Sequence, residues 1–152
     1  MPADVRAAEE CRTGLSGLHF YPTAETGAPI LYFHGGSWMI GSPETHRVLC
    51  AMLARTTERR VISVPYRLAP EHPWPAQPED AAARLTACVQ HEGPVFVAGD
   101  SAGAAMALWA DAAHAKGSLG VVGLYGAFGV VESGSLARLG PEDGVLTAEG
   151  MR

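Results

Sequence analysis

The chain has 152 residues, 47% of them hydrophobic and 18% charged, and 11 Lys plus Arg against 16 Asp plus Glu leave a formal charge of −5. That is enough apolar material for one domain with its own core, and it excludes a disordered tail, a collagen-like chain and a disulfide-dense scaffold. The acidic balance provides no basic surface for gripping phosphate backbones, so no nucleic-acid partner is expected.

The N-terminus, MPADVRAAEECR, carries acidic residues and lacks the apolar run of a secretory signal. A first strand is predicted over Leu18 to Tyr21, closed by Pro22, and a second over Pro29 to Phe33, followed at once by His34-Gly35-Gly36-Ser37-Trp38. A helix is expected next, with Ser42 as cap, Pro43 at its first position and Glu44 near the positive end of its dipole. Its apolar face is read as Val48, Leu49, Met52 and Leu53.

Val61 to Val64 reads as a third strand. Five prolines (Pro65, Pro70, Pro73, Pro75 and Pro78) then exclude regular helix or central strand from the segment that follows. Such a long connection in a compact domain usually serves function. Pro78, Glu79 and Asp80 are predicted to open a helix whose buried stripe is Ala81, Leu85, Cys88 and Val89. Pro94 to Ala98 reads as a strand, Ser101 to His114 as a helix of small residues, and Leu119 to Leu124 as another strand. Beyond Tyr125 the chain is Gly-rich, with a possible helix start at Thr147. Alternating short apolar runs with amphipathic stretches indicate an α/β fold with a mostly parallel sheet.

The long apolar stretch from Val95 to Ala113 is broken by Asp100, Ser101 and Asp111, so it reads as buried core and no membrane span is expected. Three cysteines (Cys11, Cys50 and Cys88) at wide spacing fit reduced thiols in a cytoplasmic protein, two of them buried on helices. The histidines show no metal-binding spacing, so neither metal nor cofactor is expected.

Gly99-Asp100-Ser101-Ala102-Gly103 has the form Gly-x-Ser-x-Gly between an apolar strand and a helix. A sharp strand-to-helix turn lifts the serine hydroxyl off the sheet at a helix N-terminus, whose amides favour developing negative charge. The flanking positions must be small, because backbone passes close to them. The glycines of His34-Gly35-Gly36-Ser37 allow main-chain amides to point at a substrate oxygen. Read alone, that segment is no more than a Gly-rich strand exit; ahead of the serine turn it becomes an oxyanion-hole candidate.

HGGSW at 34 to 38, YRLAPEHPWPA at 66 to 76 and GDSAG at 99 to 103, in that order, resemble the hormone-sensitive-lipase-like (family IV) esterases of the α/β-hydrolase fold. The resemblance runs from about Leu18 onward. It implies a three-layer fold with helices on both faces of the sheet, incomplete at the C-terminal side. Residues 1–17 would be a short N-terminal segment left from a cap, and 18–152 the N-terminal part of the hydrolase domain. It further implies hydrolysis of short-chain carboxylic esters through an acyl-enzyme, without cofactor. Ser101 would be the nucleophile, with Gly35, Gly36, Ser37 and Ala102 around the oxyanion. His34, Asp100, Arg67 and Glu71 would be structural residues near the site.

The triad is where the sequence departs from the family. The family order is Ser, then Asp or Glu, then His, yet His114 is the only histidine after Ser101, and Asp111 and Asp143 the only aspartates. Along one helix Asp111 would stand about 15 Å and His114 about 20 Å from Ser101, against a hydrogen-bond reach of about 3 Å. His72, on the proline-rich loop, could approach as a substitute base, although the family makes it structural. The expected chain is therefore a truncated esterase, or one part of an assembly in which a second copy or a complementary chain covers the open sheet edge. Two further readings stay open: a catalytically inactive hydrolase-fold binding module, and a formamidase-like amide hydrolase. The acyl and alcohol preference is not encoded in these motifs.

Overall fold

The computed structural model describes residues 1–11 and 14–128. Its sheet has six strands: β1 (Val5–Glu10), β2 (Gly17–Pro22), β3 (Ile30–Phe33), β4 (Val61–Val64), β5 (Val95–Asp100) and β6 (Ser118–Leu124). Three α-helices accompany them, α1 (Arg47–Thr57), α2 (Ala76–Glu92) and α3 (Ala102–His114). The spatial order is β1-β2-β4-β3-β5-β6; β3, β4, β5 and β6 run parallel, while β2 is antiparallel to both β1 and β4. The alternation of apolar runs and amphipathic stretches therefore reported the fold class correctly.

All four residues of β3 and all four of β4 are buried, as a parallel strand covered on both faces requires. Alternate side chains feed two cores. Leu31, Phe33, Ile62, Val64 and Val97 pack against Leu85 and Cys88 of α2 and Met106, Ala107 and Ala110 of α3. Ile30, Tyr32, Val61, Phe20 and Ala98 meet Cys50, Ala51 and Ala54 of α1 on the other face.

Several local expectations shift. A strand, Val5–Glu10, precedes the one expected first and pairs with β2 from Val5↔Pro22 to Glu10↔Gly17. The helix expected to begin at Pro43 begins at Arg47; Ser42 instead closes a turn, its hydroxyl accepting the Thr45 amide at 3.2 Å. The face of α1 is also corrected. Val48 and Met52 are 61% and 45% exposed, and the helix buries Cys50, Ala51 and Ala54. The reason is steric: the sheet beneath presents Phe20, Tyr32 and Ile30, so only small helix residues allow close approach. α2 opens at Ala76, two residues before the expected start, because Pro78 is tolerated in the first turn, where no intrahelical partner awaits its missing N–H. Val89 is half-buried, whereas Ala81, Leu85 and Cys88 are buried as expected. The possible helix start at Thr147, and Asp143, lie outside the described residues.

From β3 the chain passes through α1 to β4 on one side, then through α2 to β5 on the other. The order of travel thus reverses between β3 and β5. In open α/β sheets the crevice at the carboxyl ends of such strands is the usual ligand site.

Candidate active site

Register places Phe33 opposite Gly99, so residues 34–37 and 100–103 leave neighbouring strands side by side. A β-carbon on Gly99 would lie 2.2 Å from the Gly103 carbonyl oxygen, and one on Gly103 would lie 2.1 Å from that of Phe33. Both positions of the pentapeptide are therefore glycine because three backbone segments touch there. Ser101, between them, has φ 52°, a left-handed conformation for a residue with a side chain. Its amide donates to Leu124 O at 2.9 Å, and its carbonyl accepts from Ala104 N and Ala127 N, each at 3.1 Å. The turn is thus strapped by the segment leaving β6. Ala102, the first residue of α3, contributes one of the amides that a helix leaves without an internal acceptor.

The loop after β3 is also left-handed: φ is 127° at Gly36, 53° at Ser37 and 60° at Trp38, and the amides of Met39 and Ile40 both donate to Gly36 O at 3.0 Å. Gly35 corrects the expected donor set. Its amide donates to Asp100 Oδ1 at 3.0 Å and so is not offered to a ligand; Gly36, Ser37 and Ala102 remain. His34 is 1% exposed, stacks on Tyr66 at 4.3 Å and donates through Nδ1 to Gly35 O at 2.8 Å. Tyr66 Oη donates to the His34 carbonyl at 2.8 Å. Burial lowers the His34 imidazole from its ordinary value and raises the Tyr66 phenol. His34 thus lies against the Tyr66 ring with its Nδ1 on the Gly35 carbonyl.

Asp100, 4% exposed, is the polar centre of the region. Tyr32 Oη donates to its Oδ1 at 2.7 Å, Tyr125 Oη to its Oδ2 at 3.2 Å, and His46 Nε2 lies 3.4 Å from Oδ2. Burial, reinforced by the bond to Asp100, pushes the Tyr32 phenol far above its usual range. None of Tyr32, His46 or Tyr125 was singled out from the sequence. A tyrosine inside a wholly apolar strand was the available signal, since a buried hydroxyl needs a partner.

Arg67 bonds to Asp80 (amide to Oδ2 at 2.7 Å, Nε to Oδ1 at 2.9 Å), Glu79 and the Ala76 carbonyl. Gln77 Nε2 adds bonds to the carbonyls of Arg67 and His72. Glu71 is exposed and makes none of the hydrogen bonds or ion pairs among the described residues, which corrects its expected bracing role. The proline-rich loop is therefore held to the start of α2 by Arg67 together with Gln77, Glu79 and Asp80, which lie outside the 66–76 motif. Trp109 on α3 stacks on Trp38 at 5.8 Å and meets the edge of Trp74 at 5.5 Å, so the tryptophans of both motifs converge on this helix.

Asp111 and His114 lie on α3, which runs unbroken from Ala102, so the helical rise keeps both far from Ser101. Among the described residues no group of three or more His, Cys, Asp or Glu could hold a metal ion, and no helix is long and apolar enough to cross a membrane.

The sequence model of the alpha/beta hydrolase fold matches residues 30–148. The carboxylic ester hydrolase LipN of Mycobacterium tuberculosis is 42% identical over 94 residues, 56% of this chain and 25% of that protein. An acetyl-hydrolase of Streptomyces hygroscopicus is 41% identical over 90 residues, 57% and 30% of the respective chains. A hormone-sensitive lipase from a metagenome library superposes with a TM-score of 0.83 at 30% identity, covering 98% of this chain and 53% of its own. The chain thus spans about half the length of that solved relative and matches a smaller share of the two hydrolases.

Proposed function

Because the chain belongs to the alpha/beta hydrolase fold family, we propose that it is a serine carboxylic-ester hydrolase of the hormone-sensitive-lipase-like group, acting on short acyl esters. Ser101 Oγ attacks the acyl carbonyl, and the carbonyl oxygen takes up negative charge facing the amides of Gly36, Ser37 and Ala102. As the acyl–serine bond forms, the ester C–O bond breaks and the alcohol leaves with the serine's proton; water then releases the acid. The observation that carries this reading is the left-handed Ser101 held between β5 and α3, with Gly99 and Gly103 in backbone contact on either side.

The hydroxyl also needs a base, and Asp111 and His114 lie too far along α3 to serve. On this proposal the activating Asp and His come from another part of a longer protein or from a second polypeptide. The uncharged edge of β6 is where a complementary chain or a second copy would add to the sheet. Cytoplasmic residence belongs to the same proposal and is supported by three free thiols, two of them buried.

A fluorophosphonate probe tests the nucleophile. Without its base the oxyanion amides still leave residual reactivity, so the wild-type chain is expected to label slowly, and Ser101→Ala to abolish that labelling. A folded wild-type chain that resists the probe would instead mark the inactive binding module. Rates on matched short esters and N-formyl substrates separate the ester reading from the amide one.

A further inference from the structure

Resting on the reading of Ser101 as nucleophile, we propose that Asp100 is the positioning residue that decides which amides of the 34–37 loop remain for substrate. A carboxylate offers about four acceptor sites. At Asp100 four neighbours face them: Tyr32 Oη and the Gly35 amide at Oδ1, Tyr125 Oη and His46 Nε2 at Oδ2. These come from β3, the loop after it, the approach to α1 and the segment after β6. One side chain therefore fixes four parts of the chain around the serine turn.

Asp100 directly precedes Ser101, and Gly35 directly precedes Gly36 and Ser37. The Gly35–Asp100 bond thus joins the residue before the nucleophile to the residue before the oxyanion loop's Gly36 and Ser37. Its closeness is independently visible: a β-carbon on Gly35 would stand 2.4 Å from Asp100 Oδ2 and 2.9 Å from its carbonyl oxygen. Consumption of the Gly35 amide by the carboxylate is followed immediately by the positive φ values of Gly36 and Ser37, so the next amides take a different course. Without the carboxylate, the Gly35 amide competes for the same anion and the loop loses its fixed distance from Ser101.

The test uses the full chain with two readouts, hydrogen exchange at the Gly35 amide and the second-order rate of fluorophosphonate labelling. Asp100→Ala is expected to lose Gly35 protection and to label about 100-fold more slowly, with exchange at β4 unchanged. Asp100→Asn keeps an oxygen for Tyr32 and Gly35, so Gly35 protection returns and labelling comes back to within about threefold of wild type, allowing for a typical neutral hydrogen bond in place of a charged one. Should Asp100→Ala fail to fold, Asp100→Glu, which keeps the charge but displaces it by a methylene, is expected to show the same two losses. Unchanged Gly35 exchange in folded Asp100→Ala or Asp100→Glu overturns the proposal, as does loss of Gly35 protection in Asp100→Asn. Exchange is read without any chemistry at Ser101, so absent labelling in the wild type would sink the nucleophile reading separately.

Discussion

Ser101 sits at φ 52°, where a side-chain-bearing residue stores about 1–3 kcal/mol of backbone strain. Ser101→Gly relieves it and is expected to raise stability in urea by about 0.5–1 kcal/mol while removing the hydroxyl. Gly103→Ala does the opposite. Its methyl would press on the Phe33 carbonyl at 2.1 Å, and a loss of about 3 kcal/mol or more is expected from the same unfolding curves. A third residue sets a pH dependence. Burial holds His34 below its ordinary value, so the folded chain takes up this proton at lower pH than the unfolded one. The stabilisation from neutral His34 is complete above about pH 6.5 and is lost as pH falls through the lower folded-state value. The urea midpoint should drop as pH falls below about 6.5, and drop less in His34→Phe, which still stacks on Tyr66 but cannot titrate. The glycines of both motifs were legible in the sequence because each answers a local backbone demand. Asp100 was not legible as a hub, because its partners Tyr32, His46 and Tyr125 are brought together only by the sheet.

At the scale of the element, α1 shows how helical periodicity can name the wrong face. Val48, Leu49, Met52 and Leu53 do recur at helical spacing, but of these only Leu53 packs on the sheet cluster, beside the buried Cys50, Ala51 and Ala54, while the other three are exposed. Size, rather than hydropathy, decided between the faces. Ala51→Leu should cost about 1–3 kcal/mol by overpacking, whereas Met52→Lys should change stability by no more than about 0.5 kcal/mol; thermal or urea unfolding of the two variants checks the orientation. Thiol chemistry gives a second check. Burial pushes the thiols of Cys50 and Cys88 up to about 12, while Cys11 is exposed. Native protein should therefore react quickly at Cys11 alone with a thiol-disulfide reagent, and at all three cysteines once unfolded. α2 was found with its start displaced, since proline in a first helical turn resembles proline at a helix start.

Across the whole of the described residues the two borders of the sheet differ in kind. β1 carries Arg6, Glu9 and Glu10, charges of the sort that discourage strand addition. β6 reads SLGVVGL, without charge or proline, and Leu119 and Val122 are 50% and 54% exposed. An apolar groove of about 300 Å³ opens beside it, lined by Phe96, Ala98, Val122 and Leu124 with Leu53 of α1. Light scattering at micromolar concentration should detect self-association that Val122→Lys reduces and Arg6→Gln does not; a strictly monomeric wild-type chain would refute it. Alternating β and α patterns revealed the layers, but the neighbour order of the strands depends on packing between segments far apart in sequence. Among the described residues, every group that clamps the serine turn, from Phe33 and Gly35 through Gly103 to Leu124, Tyr125 and Ala127, lies at or before Ala127. A nascent polypeptide that has emerged as far as Ala127 therefore already carries each of these partners of the bent turn.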